Sequence, residues 1–527
     1  MRPEPDDAPK PLRRNRGHDG RVTRRAQGPA AYRGADVPES QSGHPKGGSG
    51  RRFLRRRTTA ESLNDFLLLL LIAALASAPL YYGGNRMLSW AANGMAFGIL
   101  LIMFELGLIV SGGARAVALK RIWWMAALFG AVLAWIVLQA VPWTPASWHS
   151  PFWELAQQAL SQWPSNGESD AAFRGSISVV PDEGWLGLIR LVSNAAAFYL
   201  GLQLCRDSQR AKAFAAGIVV VVTAYAIFGI MQRLFFPTQG LWGPKRHYLD
   251  FATSTFVNRN SFATFAGIGL VVACGLLLRG AGEGRASRAP TLSYRSVEML
   301  ERIWQRSLPL VVPMLVILVA LLWSGSRAGT IWSLAGVCCL LALGTLLGRA
   351  HRFSIIAAAV LLSTAALGLM VYGAEVAERA EAGPEDLELR FAAYINAIRA
   401  TLDQPWTGFG YGSFSNIYPQ YRTDILIDQF WNYAHNTYIE IAFEAGIPSV
   451  IVVAMLVGGA IIKIFRNAAC CQNLPMLSLI ALSASVTVLG HALFDFSVQM
   501  QGVALLYWAL MGAGLAQSWS RRIDTTC

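Results

Sequence analysis

"MLSWAANGMAFGILLIMFELGLIVS", residues 87–111, runs for 25 residues with a single charge, Glu105. A helix rises about 1.5 Å per residue, so roughly 20 apolar residues cross a hydrocarbon core about 30 Å thick. Windows of roughly 18 or more apolar residues recur along most of the chain. They are continuous and do not alternate, which argues against a membrane β-barrel. Composition agrees: of 527 residues, 54% are hydrophobic and 15% charged, where a soluble domain carries about a quarter charged.

Twelve spans are predicted, at about 65–82, 87–111, 122–142, 184–204, 213–235, 260–279, 307–323, 329–347, 353–374, 437–464, 476–497 and 499–517. The joins at 112–121, 205–212, 279–306, 348–352 and 463–467 are basic, and they alternate with the others. The excess of Lys and Arg marks the cytoplasmic side. Both termini are therefore expected in the cytoplasm. The opposite face carries loops at 143–183 and 236–259 and a long one at 375–434. The expected fold is all-α: a polytopic inner-membrane helical bundle of about 12 transmembrane helices, whose one long outer loop contains short amphipathic helices. Its parts are a basic tail (1–60), five spans with their loops (61–254), four more (255–374), the large loop (375–434), the last three spans (435–520) and a short cytoplasmic tail (521–527).

The formal charge is +13, concentrated at one end. Residues 1–60 hold fifteen Arg or Lys against six Asp or Glu, with much Pro, Gly and Ser. Too little apolar surface is available there to fold, so a disordered tail is predicted. A nucleic-acid arm is one reading of it; an anchor touching anionic lipid is the other, favoured because no aromatic pattern accompanies the charge. It does not read as a signal peptide, since the apolar run begins late and no cleavage site follows. The seven cysteines, Cys205, Cys274, Cys338, Cys339, Cys470, Cys471 and Cys527, suggest neither a disulfide nor a CxxC metal site.

No nucleotide-binding motif appears. Chemistry would therefore use the outer loops, with energy arriving in the substrate, as in an activated lipid carrier. Ionisable and amide groups gather on that face. "STFVNRNSFATFAG" (253–266) carries Asn258, Arg259 and Asn260, which also suit helix capping. "LLWSGSRAGTIWS" (321–333) sets Arg327 on a Gly-rich turn whose exposed amides suit an anion. "LELRFAAYINAIRATLDQPWTGFGYGSF" (387–414) carries Arg390 on an amphipathic helix with Leu387, Tyr394 and Ile398 on one stripe. "YAHNTYIEIAFEAGIPSV" (433–450) brings His435, Asn436, Glu440 and Glu444 to the mouth of a span. "GHALFDFSVQM" (490–500) puts His491 and Asp495 within another, where ionisable groups are costly and usually functional. Arginine forks match phosphate oxygens, and a histidine can take a proton from a hydroxyl. "HNTYIE" lacks a second histidine, so no metal and no cofactor is expected.

The order "SGSRAG", then a long loop ending "TGFGYGSF", then "HNTYIEIAFEAGIP" and a His/Asp-bearing span, resembles the O-antigen ligase and Wzy-type O-antigen polymerase family. The resemblance is clearest over about 255–500. The family's pattern differs at Ser449, and it often has Trp where Tyr394 stands. The resemblance implies a glycosyltransferase in a bacterial inner membrane. Such an enzyme moves a glycan from undecaprenyl pyrophosphate to an acceptor hydroxyl on the periplasmic face. By the same resemblance His435, Arg390 and Arg327 are the expected catalytic residues: His435 the base, the arginines on the pyrophosphate. Asn258, Arg259, Asn260, Asn436, Glu440 and Asp495 are expected to bind substrate. Glu440 would orient the imidazole, Glu444 would partner a buried polar group, and Asp495 would pair an arginine. Expected partners are the undecaprenyl-pyrophosphate-linked donor, a polysaccharide, lipid or protein acceptor, and the bilayer, with no nucleic acid. The motifs do not separate ligase from polymerase. The competing reading is a polytopic transporter or exporter of polysaccharide or a lipid-linked intermediate. Against it stand the large outer loop and the lack of visible internal repeats.

Overall fold

In hydrocarbon every backbone N–H must find its partner within its own segment, and the apolar runs accordingly fold as helices. The computed structural model describes residues 59–162, 174–282, 308–347, 384–423, 426, 431–471 and 475–519. The basic tail to residue 58, the expected span at 353–374, the first part of the long loop (375–383) and residues 520–527 lie outside them.

Among the described residues seven helices are long and apolar enough to cross a membrane: α2 (Met87–Ser111), α3 (Trp123–Ala140), α5 (Pro181–Leu204), α6 (Ser208–Phe235), α7 (Arg259–Gly282), α9 (Arg327–Leu346) and α13 (Ile447–Ala469). Two shorter apolar helices accompany them, α8 (Leu308–Trp323) and α14 (Met476–His491), together with α1 (Thr59–Ser77) and α15 (Gln501–Ser518). The remaining helices sit in loops: α4 (Phe152–Ser161), α10 (Pro384–Asp403), α11 (Phe414–Ile417) and α12 (Thr437–Ala445). A two-stranded hairpin, β1 (Gln239–Gly240) and β2 (Gly243–Pro244), decorates the join between α6 and α7. Side chains cap some of the helix starts. The Asp207 carboxylate accepts the Gln209 and Arg210 N–H groups at α6, and Ser326 accepts Gly329 N–H at α9.

Helix α7 is the most enclosed of the spanning set, with 89% of its apolar window buried. Small residues let neighbouring helices close on one another. A Cβ on Gly512 of α15 would overlap the Phe198 carbonyl of α5, and one on Gly201 would overlap the Ala509 carbonyl.

Two expected spans differ in outline. The run 437–464 is two helices, because Gly446 has φ 79° and ψ 162° and Pro448 follows within the first turn of α13. Proline there lacks the N–H that continuation of α12 would need. Ile447 N–H turns instead to the Pro405 carbonyl (2.8 Å). The run 476–497 ends its helix at His491, so Asp495 lies in the irregular segment leading to α15 rather than within a span. The expected stripe on α10 also shifts. Ala393, Ala397 and Ala400 face the core, while Ile398 is exposed.

Candidate functional site

One end of the bundle collects the joins α1–α2, α6–α7, α8–α9 and α14–α15 together with the loop before α12. Backbone and side-chain bonds tie them. Ala252 N–H donates to the Trp323 carbonyl (2.9 Å), Thr437 N–H to that of Ala492 (2.9 Å), and the Tyr433 hydroxyl to Asn85 Oδ1 (3.0 Å).

Asp495 is the hub. It is 0% exposed, yet three donors and a histidine converge on it. The side-chain amides of Asn258 and Asn260 reach its Oδ1 at 3.4 and 3.2 Å. The Ser497 hydroxyl donates to Oδ2. His435 Nδ1 lies 3.4 Å from Oδ1, close enough for ionic attraction and longer than a well-formed hydrogen bond. Burial alone would raise the carboxyl, but His435, His491 and Ser497 outweigh it and hold Asp495 well below the usual carboxylate range. Asp495 thus pairs a histidine and two amides, not the arginine expected for it. It is enclosed by these groups.

His435 is partly open, its side chain 21% exposed. Its φ is 52°, a left-handed conformation in which Asn, Asp and His are enriched among residues other than Gly. The ring sits between Trp431 (centroids 5.1 Å) and Phe496 (4.9 Å), and its carbonyl accepts the Tyr394 hydroxyl (2.9 Å). The residue before it is pinned as well: Ala434 N–H donates to Glu440 Oε2 (2.8 Å). Glu440 therefore holds the backbone of the turn, and the imidazole is faced by Asp495 instead. Asn436 spends its side-chain oxygen on the Tyr438 and Ile439 N–H groups (3.0 and 3.2 Å) as the cap of α12. A carboxylate facing Nδ1 favours the tautomer protonated there, leaving the Nε2 lone pair as a base.

The arginines are placed unequally. Arg390 Nη1 donates to the Phe494 carbonyl (3.2 Å), one residue from Asp495. Arg259 lies over the rings of Phe251 (4.3 Å) and Tyr248 (5.2 Å). Arg327 opens α9 and is exposed. The amides of its turn are less available than expected, because Ser326 Oγ accepts Gly329 N–H (3.2 Å). A cavity of about 290 Å³ opens beside His435 and Asn258, but Arg327, Arg390 and Arg259 do not line it. Among the described residues no group of three His, Cys, Asp or Glu side chains is placed to hold a metal ion.

A second buried group was not anticipated. Arg190, inside the apolar run of α5, is 9% exposed and lies over Trp90 (4.5 Å) and Tyr411 (5.7 Å). It is the cation acting on Glu440 and Glu444 of α12, the short helix ahead of span α13. Glu444 Oε1 accepts Phe414 N–H (3.2 Å), the buried polar partner expected for it. Burial raises both carboxyls, Glu440 well above its ordinary range and Glu444 to about 7. An arginine within an apolar run was the available signal. Raised carboxyls bind protons in the fold that the unfolded chain releases, so their contribution to stability falls as pH rises from about 4.5 through about 7. Replacing Arg190 with Met removes the opposing cation. The expected melting-temperature deficit is several degrees at pH 8 and smaller at pH 5.5, measured on purified protein in detergent.

Comparison with known proteins bears on this geometry. Residues 312–454 match the O-antigen ligase family. The expected resemblance to that family is borne out, and Arg327, Arg390 and His435 lie within the matched segment. The chain is a multi-pass membrane protein, and its residues 312–454 are of O-antigen ligase type. Asn258, Asn260 and Asp495, which complete the site around His435, fall outside the matched residues. No curated protein gives a significant match to the chain.

Proposed function

We infer that this protein transfers a glycan from undecaprenyl pyrophosphate to an acceptor hydroxyl at the periplasmic face of a bacterial inner membrane. The observation that carries the reading is a partly exposed His435 backed by the buried, charged Asp495 and opening onto a cavity. The full bundle would have about twelve spans with both termini cytoplasmic. The donor's prenyl tail lies among the spans. Arg390 and Arg327 bind its pyrophosphate and offset the charge that grows as the anomeric C1–O bond breaks. The acceptor oxygen bonds to C1, its proton passes to His435 Nε2, and the electron pair of the broken bond leaves with undecaprenyl pyrophosphate. Arg259, Asn258 and Asn260 border the same end of the bundle, and the acceptor is a polysaccharide, a lipid or a protein. The chain itself supplies the base and the cations, so the reading invokes no cofactor or metal.

Reconstitution in liposomes with a prenyl-pyrophosphate glycan tests this. Release of undecaprenyl pyrophosphate together with a glycosylated acceptor is the expected result. Movement of the intact donor across the bilayer without release would favour the transporter reading.

A further inference from the structure

Among the described residues, four that are not glycine have φ in the left-handed region: Tyr82 (52°), Tyr248 (57°), Ser254 (52°) and His435 (52°). Bulky residues rarely take this conformation, and where they do the surrounding structure enforces it, most often at functional sites. Three of the four line the same cavity, that of about 290 Å³ beside His435. Its walls come from elements far apart in the chain: the turn between α1 and α2, the loop before α7, and the segments at 432–435 and 496–500.

The enforcement is visible. The Tyr82 hydroxyl donates to the Trp242 carbonyl (3.2 Å), and Trp242 Nε1 donates to the Leu80 carbonyl (2.8 Å). A Cβ on Gly84 would come within 2.8 Å of the Gly502 nitrogen, so the turn is wedged against the start of α15. The Tyr248 ring lies beneath the Arg259 guanidinium, and Tyr433 stacks on Phe496 (centroids 4.1 Å).

The lining chemistry is specific. Aromatic rings come from Tyr82, Tyr248, Phe256, Tyr433 and Phe496, and side-chain amides from Asn85, Asn258 and Asn432. Among the described residues no Arg, Lys, Asp or Glu lines the cavity. Rings offer flat apolar faces, and amides offer paired donors and acceptors for hydroxyls. With Arg86 over Tyr82 (5.1 Å) and Arg259 over Tyr248 (5.2 Å), the lining still presents mainly rings and amides, which suit a hydroxyl-rich uncharged ligand. The volume is at the lower edge of the roughly 300–1,000 Å³ usual for small-molecule sites, so one or two rings are held and not a long chain.

We propose that this cavity is the subsite for the acceptor's terminal sugar, an uncharged pyranose that stacks on Tyr82 or Tyr248 and presents a hydroxyl to His435. The assignment to the acceptor rests on His435 being the base; the affinity for a neutral sugar does not. Tyr82, Asn85 and Tyr248 would then select which sugar is extended, from a part of the chain outside the ligase-matched segment.

The test uses the full-length protein in lipid nanodiscs and saturation-transfer NMR with glucose, galactose, N-acetylglucosamine and their disaccharides. At least one of these should bind. Tyr248→Ala should weaken that binding by roughly five- to tenfold. Asn432→Trp, at an exposed rim position, should abolish it by filling the cavity while the melting temperature stays unchanged. In transfer assays Asn432→Trp should raise KM for the acceptor and leave KM for the donor alone. Failure of every sugar to bind, or binding that survives Asn432→Trp, overturns the proposal, as does a rise in donor KM alone. Sugar binding that Asn432→Trp abolishes, in a protein whose transfer is untouched by His435→Asn, would remove the base and keep the subsite.

Discussion

Replacing His435 with Asn is expected to reduce glycan transfer by about 10²–10⁴-fold, the range that a positioned acid–base group contributes. Asn is the informative choice because the position has φ 52°, and Asn tolerates the left-handed region better than Ala does. The turn should therefore survive: Ala434 N–H stays on Glu440 and the carbonyl of residue 435 on the Tyr394 hydroxyl. What is lost is a nitrogen able to accept a proton. The measurement is undecaprenyl pyrophosphate released per minute in liposomes, at matched protein and matched melting temperature. A rate within about threefold of wild type would remove His435 from the chemistry. His435→Ala should lose at least as much activity and some stability besides.

Asp495→Leu is expected to have the second large effect, and on two readouts. The carboxylate is fully buried and accepts from Asn258, Asn260 and Ser497. Removing it strands two buried amides and leaves the imidazole unbacked. Breaking a buried charged network from one side costs about 3–5 kcal/mol, so abundance and melting temperature should fall together. Asp495→Asn isolates the charge, because it keeps the shape and turns one acceptor into a donor. Its transfer rate should fall nearly as far as that of His435→Asn, and the double variant should be scarcely worse than either single one, the non-additivity of groups acting as a unit. Additive losses would show that Asp495 supports the fold without supporting the histidine.

Much of the architecture was legible because bilayer thickness imposes one blunt criterion, which runs such as 87–111 and 213–235 meet. Gly446 escaped it, since the residues on either side are equally apolar and only the Gly-Ile-Pro order betrays a break. The arginine–histidine motifs were legible as local strings. Their assembly was not: Asn258 and Asp495 are 237 positions apart, and nothing local to either announces the other. Asp495 was read as a partner for a guanidinium because charge alone suggests that pairing, whereas the fold surrounds it with amides. Arg190 was hidden by its setting, a single cation in an otherwise apolar run whose counter-charges, Glu440 and Glu444, stand some 250 residues later.

The division of labour around Asp495 bears on how such proteins diversify. His435 lies within the stretch shared with the ligases, while the carboxylate and amides that steady it stand on either side of that stretch. The surroundings of His435 are thus drawn from three separate parts of the chain. A chimaera receiving only residues 312–454 from a relative would import a histidine tuned to foreign neighbours, and recombination that respects these long-range partners is the kind that leaves a working enzyme.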